Sequence, residues 1–518
     1  MKHTKIAALL LAAMLMSQLL VSCDKTPTGT PDGTDTDTDT QVVTDTVPAD
    51  TDADADTADT EPDTTDAPDT TSVPDTEPLP DVEPTPLNIT DANLEAALRK
   101  IAGKPEGELL LSDFAATDTL RLSNSDITDL SPLADFDWVK TVDISYNEGI
   151  TSYAPLAEMD SLKTLRAADC GITDVTPFAA LTGLLSLDLS ANPIESFAPL
   201  AVLVDLEALD LSETDIRDLS VLTGLTELLT LNLYNNDIYD ITALADMTWL
   251  VDLNLFANNI EDVSPLKDMN FMEHLNLSGN KVTDISSLDK LNNMTVLDLS
   301  YNPISNISVV SVMRELTNLI LNDTAVTDLK PIEGITTITE LNINNTGISD
   351  LTPVASLTNL QVLLACLNNI EDIAPLWELT ALTVLDLSGN SISDILPLEK
   401  LAKLQELDIS YNNITKLADL EYVTALTTLD VSNNSISDIS ILEELTKLTT
   451  LKASNNKISD ITVLSTLKAL TVLNLTNNDI YDLSPLAELD SLTILHAKNN
   501  PIEDWTPVEK VATVLGKE

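Results

Sequence analysis

The chain has 518 residues, with 84 acidic side chains against 26 basic ones, a net charge of −58 and an aromatic content of 3%. A field of that sign repels nucleic acid and anionic lipid surfaces, so neither is expected as a direct partner of the folded part. It favours a basic partner or divalent cations instead.

Lys2 and Lys5 open the chain, Ile6 to Val21 follow as an apolar run broken by Ser17 and Gln18, and small Ser22 precedes Cys23. This is the layout of a secretory signal over residues 1–22, and the run is short for a bilayer span. Leu20-Val21-Ser22-Cys23 resembles a bacterial lipobox. The resemblance implies cleavage before Cys23 and a lipid-bearing cysteine as the first mature residue. Acyl chains contribute about 0.8 kcal/mol per buried methylene, so a multiply acylated cysteine anchors stably where one chain would not.

Residues 23–87 read as a disordered acidic tether. From Asp24 to Leu87 there are nineteen acidic residues, one lysine and no aromatic residue. With so little to bury, such a segment cannot offset its ordering entropy. A coil of that length spans roughly 45 Å.

Residues 88–118 read as a helical cap, with Thr90 or Asp91 as N-cap, Leu94, Ala97, Leu98 and Ile101 on one face, and a stop at Gly103. Behind it lies an internal repeat. The first leucine of an L-x-L pair falls at Leu120, Val142, Leu165 and Leu187, then every 22 residues to Leu495, giving eighteen units over 119–505. One spacing is 23, where Glu148-Gly149 adds a residue. The unit, as in "LTVLDLSGNSISDILPL" (382–398), predicts a leucine-rich-repeat solenoid. That is an α/β repeat with a curved parallel sheet on the concave face and 3₁₀ or short helical returns on the convex face. In Leu385-Asp386-Leu387 the alternation turns the leucines inward and Asp386 outward.

Thirteen of the eighteen turn positions are Asn, among them Asn192, Asn236, Asn258, Asn280, Asn302, Asn368, Asn390, Asn412, Asn434, Asn456, Asn478 and Asn500. Their amides can satisfy backbone groups of adjacent coils, a structural ladder. Ser125, Cys170, Thr214, Thr324 and Thr346 depart from it. Fourteen coils carry the Asp of I-x-D-I, including Asp240, Asp262 and Asp284. Each is expected to cap its own return turn; a calcium-binding edge is the alternative. At the far end, residues 506–518 predict a C-terminal cap helix with Val508, Val511 and Leu515 on one face.

The 22-residue unit, the Asn ladder, the D-I-x-P-L return and the cap "ITDANLEAALRKIAGK" together resemble the internalin-type proteins of Gram-positive bacteria. The resemblance implies a concave sheet that grips a protein, in some members a host receptor. No Leu-Pro-x-Thr-Gly sorting signal or wall-binding module accompanies it here, so the lipid would replace the wall anchor.

Catalysis is not expected. His274 and His496 lie ten coils apart, roughly 48 Å at strand spacing, and no G-x-S-x-G, H-E-x-x-H or phosphate-loop pattern occurs. No cofactor and no metal centre are implied. Cys170 and Cys366 lie nine coils apart and cannot bridge.

Most outward positions of the strands are Asp, Asn, Ser or Thr, and the exceptions gather. Tyr234, Phe256, His274 and Tyr301 fall in coils six to nine, Ile320, Val362, Leu364, Cys366 and Leu367 in coils ten to twelve, and Tyr411 in coil fourteen. Large side chains on a polar face mark an interaction patch. The expected protein is therefore a monomeric, lipid-anchored, extracytoplasmic recognition or adhesion module. It would bind a protein ligand of the envelope or of a host surface through Tyr234, Phe256, His274, Tyr301, Ile320, Leu364, Leu367 and Tyr411. A glycan receptor using the aromatics as stacking platforms, or a non-binding spacer, are the rival readings.

Overall fold

The computed structural model describes residues 82–517. The expected signal peptide, Cys23 and the tether up to residue 81 lie outside the described residues.

One parallel sheet runs through the described chain. Its nineteen strands, from β1 (Thr119–Arg121) and β2 (Thr141–Asp143) to β18 (Ile494–His496) and β19 (Thr513–Leu515), are three residues long, and each pairs with its sequence neighbour. The register is that of the repeat: Leu120 faces Val142, and Leu473 faces Leu495. In each of β1 to β18 the middle residue is buried between outward neighbours, so the inward leucines stack into one continuous core. The chain returns through 3₁₀ turns such as Ser264–Leu266 and Ser484–Leu486. Proline often takes their first positions, where no helical N–H is lost.

Two polar devices recur along the coils. All fourteen I-x-D-I aspartates accept the N–H of the residue two ahead, as Asp262 does from Ser264 at 2.8 Å and Asp460 from Thr462 at 2.9 Å. Their carboxylates therefore cap the returns. The second device is the Asn ladder. Asn390 Oδ1 accepts the Ile370 N–H of the coil before at 3.0 Å, while its Nδ2 donates to Ala365 O at 2.9 Å and to Leu387 O at 3.0 Å. Thr324 instead donates its hydroxyl within its own coil, to Leu321 O, and the Thr346 hydroxyl lies between Ile343 O of its own coil at 2.9 Å and Asn368 Oδ1 of the next at 3.0 Å. A further row joins coils at the strand entry, where Thr449, Thr471 and Thr493 each donate to the carbonyl 22 residues earlier.

At the front, helix α1 (Ala92–Ala102) covers the first coil with Leu94 and Leu98, and Gly103 ends it in the left-handed conformation, φ 61°. Asp91 is its N-cap. That carboxylate also accepts from Thr128 N, Thr128 Oγ1 and Asp129 N, so one side chain joins cap to array. The tether was expected to run to residue 87, yet Leu87 N bonds Leu109 O and Leu111 N bonds Thr85 O. Prolines 84 and 86 favour the extended backbone this pairing needs, and Leu87 packs against the core.

The back end departs from the expected helix over 506–518. A 3₁₀ turn at Thr506–Val508 is followed by β19, in which Val514 pairs with Leu495. Val508 and Val511 are buried as the pattern required, but Val511, Thr513 and Val514 are β-branched, and an open sheet edge beside them offers backbone partners that a lone helical turn lacks.

Replacing Asn390 by Ala leaves the Ile370 N–H unsatisfied in the interior and strips the Ala365 carbonyl of one of its two amide donors, Asn368 Nδ2 at 3.2 Å remaining. The expected loss is about 2–3 kcal/mol of unfolding free energy, read from the urea midpoint at unchanged slope. Thr324→Asn, which adds a ladder amide, is expected to raise the midpoint.

Candidate functional site: the concave sheet face

Two outward columns of side chains make up the face. The first lies between the inward leucines and reads, across adjacent strands, Asp298, Ile320, Asn342, Leu364, Asp386, Asp408, Asp430 and Lys452. The second is the residue just before each ladder position. It takes positive φ in all eighteen coils, between 48° and 66°. This is the tightest constraint on the face, because left-handed backbone costs an ordinary side chain about 1–2 kcal/mol and suits Gly, Asn and Asp. Seven of these residues are Asn, two Asp and two Gly. Tyr146, Tyr301, Leu367 and Tyr411 are the large exceptions, and the three tyrosines are 59%, 53% and 44% exposed.

The expected site residues fall in these two columns and beside them. His274, Ile320 and Leu364 lie on strands, half-buried and pointing out of the sheet. Tyr301, Leu367 and Tyr411 occupy the left-handed column. Tyr234 and Phe256 sit one residue earlier in their coils, half-buried, with rings stacked at 5.1 Å and 13°. The ring of Phe256 leans over Gly279, where a Cβ would come within 3.1 Å, and Leu367 leans over Gly389, where it would come within 2.8 Å. At both positions φ suits glycine, and a Cβ would have to displace the neighbouring side chain. The eight residues do not converge on one pocket. They form a strip from coil six to coil fourteen, about 38 Å at strand spacing. Cys366, expected beside them on the concave face, is buried.

His274 Nδ1 lies 3.3 Å from Asp252 Oδ2, off the hydrogen-bonding direction, and is buried without a hydrogen-bond partner. The aspartates of the first column each spend Oδ1 on the serine two ahead: Ser388 N, Ser410 N and Ser432 N donate at 2.9 Å to Asp386, Asp408 and Asp430. Burial raises Asp386 and Asp408 above the ordinary carboxylate range. For Asp408, pushed up to about 7, repulsion from Asp430 and Asp386 adds to burial. Lys452 Nζ approaches Asp430 Oδ2 at 3.5 Å. Burial also raises Asp210, with Asp188 beside it, and Asp298. Elsewhere, burial lifts the Cys170 thiol to about 11, which leaves it inert at neutral pH.

Sequence reasoning passed over Tyr146, whose signal was its place in the left-handed column. It also passed over Trp249 and Phe271, stacked at 4.8 Å and about half exposed. They lie in the turn that enters the strand, outside the outward strand positions.

A family model for leucine-rich repeats, in two-copy units, matches residues 272–311, 358–400, 380–422, 424–466 and 468–510. The fold is a leucine-rich-repeat solenoid. An internalin from Listeria monocytogenes is 26% identical, with 80% of this chain and 97% of that one covered and a TM-score of 0.51. A leucine-rich-repeat protein of Leptospira interrogans is 24% identical, over 73% and 94%, with a TM-score of 0.62. The ectodomain of the Arabidopsis receptor kinase HAESA, solved with a peptide hormone, shares the fold at 18% identity over 76% and 85%, TM-score 0.58. No curated protein matches the sequence.

The acidic row gives a pH signature. With its folded value near 7 above an unfolded value near 3.8, Asp408 contributes stability that is full below the unfolded value and is lost as pH rises through about 7. Asp408→Asn is therefore expected to raise the thermal midpoint at pH 8 and to change it much less at pH 4. An equal shift at both pH values would contradict the raised carboxyl.

Proposed function

We propose that this protein is a surface-held recognition module whose concave sheet face binds a protein ligand, with a lipid on Cys23 as its anchor. One observation carries the reading. Tyr301, Leu367 and Tyr411 stand in left-handed backbone that disfavours them, and the two tyrosines remain about half exposed. The exposed tyrosine rings gain little burial in the fold, and contact with a ligand would offset their backbone cost. Aromatic side chains at the centre of an interface are the usual carriers of its binding energy. The likeness to an internalin and to peptide-binding receptor ectodomains supports a protein as the ligand.

The glycan alternative has less to support it: Tyr234 and Phe256 each spend one ring face on the other, at 13° and 5.1 Å, and the Phe256 ring leans over Gly279. No convergent set of groups on the strip supports catalysis, and the reading assigns the face to binding.

The test separates stability from binding. Tyr301→Asn with Tyr411→Asn restores the residue type that the left-handed column prefers. The pair is expected to stabilise the fold by about 1 kcal/mol. The same pair, or Ser at Tyr234, Phe256, Tyr301 and Leu364, is expected to cut retention of the ligand on protein-coated beads by at least about tenfold. A ligand retained equally by wild type and variants would place binding elsewhere. Retention of nothing specific by either would favour a spacer.

A further inference from the structure

The concave face changes character along its length, and the change identifies a kind of partner. From Leu364 onward the column between the inward leucines runs Leu364, Asp386, Asp408, Asp430, Lys452, each in register with the next. Leu367 and Tyr411 border it on the left-handed column. No other place on this column sets three carboxylates on consecutive strands. At the front, Arg121, Asp143 and Arg166 alternate in sign, and Asp298 stands between Asn276 and Ile320.

These carboxylates are under-compensated. Each has one oxygen held by a serine N–H, the hydroxyls of Ser388 and Ser410 add to this at Asp386 and Asp408, and among the described residues one cation reaches the row, Lys452 against Asp430. Among the described residues, Asp386 and Asp408 have no basic side chain within ion-pair distance. Like charges so placed repel, and a cation supplied from outside relieves that repulsion while it gains a contact shielded from water. Lys452 shows how an ammonium lies on this face: it reaches back across one strand spacing to the neighbouring carboxylate.

We propose that this stretch takes an extended basic segment of the protein ligand, with an apolar side chain against Leu364 and Leu367 and Lys or Arg side chains against Asp386, Asp408 and Asp430. The inference deepens the recognition reading and rests on it. Its spacing is specific. Four strands at about 4.8 Å carry the row about 14 Å from Leu364 to Asp430, and same-side residues of an extended chain repeat every ~6.8 Å, so positions i, i+2 and i+4 span the same distance. The matching segment reads apolar-x-basic-x-basic. The basic pair supplies charge that this acidic face lacks, and the apolar residue sets the register.

The experiment uses the full chain and labelled heptapeptides in fluorescence anisotropy. The probe carries Leu-Thr-Lys-Thr-Arg; one control scrambles it at equal charge, and another replaces Leu by Ser. The protein variant combines Asp386→Asn, Asp408→Asn and Asp430→Asn. Asn is native to this column at Asn276, where its Oδ1 still accepts the serine N–H at 2.9 Å, so the variant keeps the local bond. Thermal melting checks that it folds. The probe is expected to bind wild type at least about tenfold more tightly than the triple variant, and more tightly than either control peptide. Equal binding of probe and scramble, undiminished in the triple variant, would mean attraction by the net charge alone and overturn the proposal. No binding of the probe to wild type would overturn it as well. The recognition reading would survive either failure if Tyr301→Asn with Tyr411→Asn still abolished retention of the natural ligand.

Discussion

The structure depends on satisfying the backbone at one tight turn in every coil. There the chain leaves the strand through left-handed φ and must bury N–H and C=O groups with no water to receive them. An Asn amide, which donates and accepts at once, closes the gap and reaches the coil before it, as Asn390 does through Ile370 and Ala365. Each of the thirteen coils that carry this Asn is therefore tied to its predecessor at a fixed point. The 22-residue period, the sheet register and the stacked leucine core follow from repeating that link. Repeat proteins draw their stability from such neighbour terms.

A constraint that strict leaves the outward columns free, and the free columns are where function is read. Most positions on them are short and polar, and the left-handed column accepts Asn, Asp and Gly at little cost. Tyr301, Leu367 and Tyr411 are at odds with their backbone, and Asp386, Asp408 and Asp430 with one another. Both conflicts fall near the place where Thr324 and Thr346 stand in for Asn and the ladder thins. Local cost gathered on one exposed face is the pattern of a binding surface, where stability is exchanged for contact.

How much of this was legible in the sequence differs by element. The L-x-L alternation fixed the strands and their register, because a period of two with leucines on one side admits one inward face. Asp91 and Gly103 bounded the front helix through capping chemistry that acts locally. The last segment misled: Val508 and Val511 are spaced for a helical face, but their burial is equally met by a turn and an edge strand, and what decides is the open edge of β18, invisible in the local pattern. The strip was legible as residue types on outward positions, whereas the self-stacking of Tyr234 on Phe256 and the lean of Leu367 over Gly389 depend on rotamers. The raised carboxyl of Asp408 required knowing that three aspartates share neighbouring strands and are buried there.

The most direct measurement is hydrogen–deuterium exchange of the protein with and without its captured ligand, resolved by peptide. If the concave face is the recognition surface, protection appears in the strand-to-turn peptides spanning Tyr301, Leu364 to Leu367 and Tyr411, and the 3₁₀ returns on the convex side are unchanged. Protection confined to the returns, or to the edge bearing Trp249 and Phe271, would contradict the assignment of the concave sheet as the binding face.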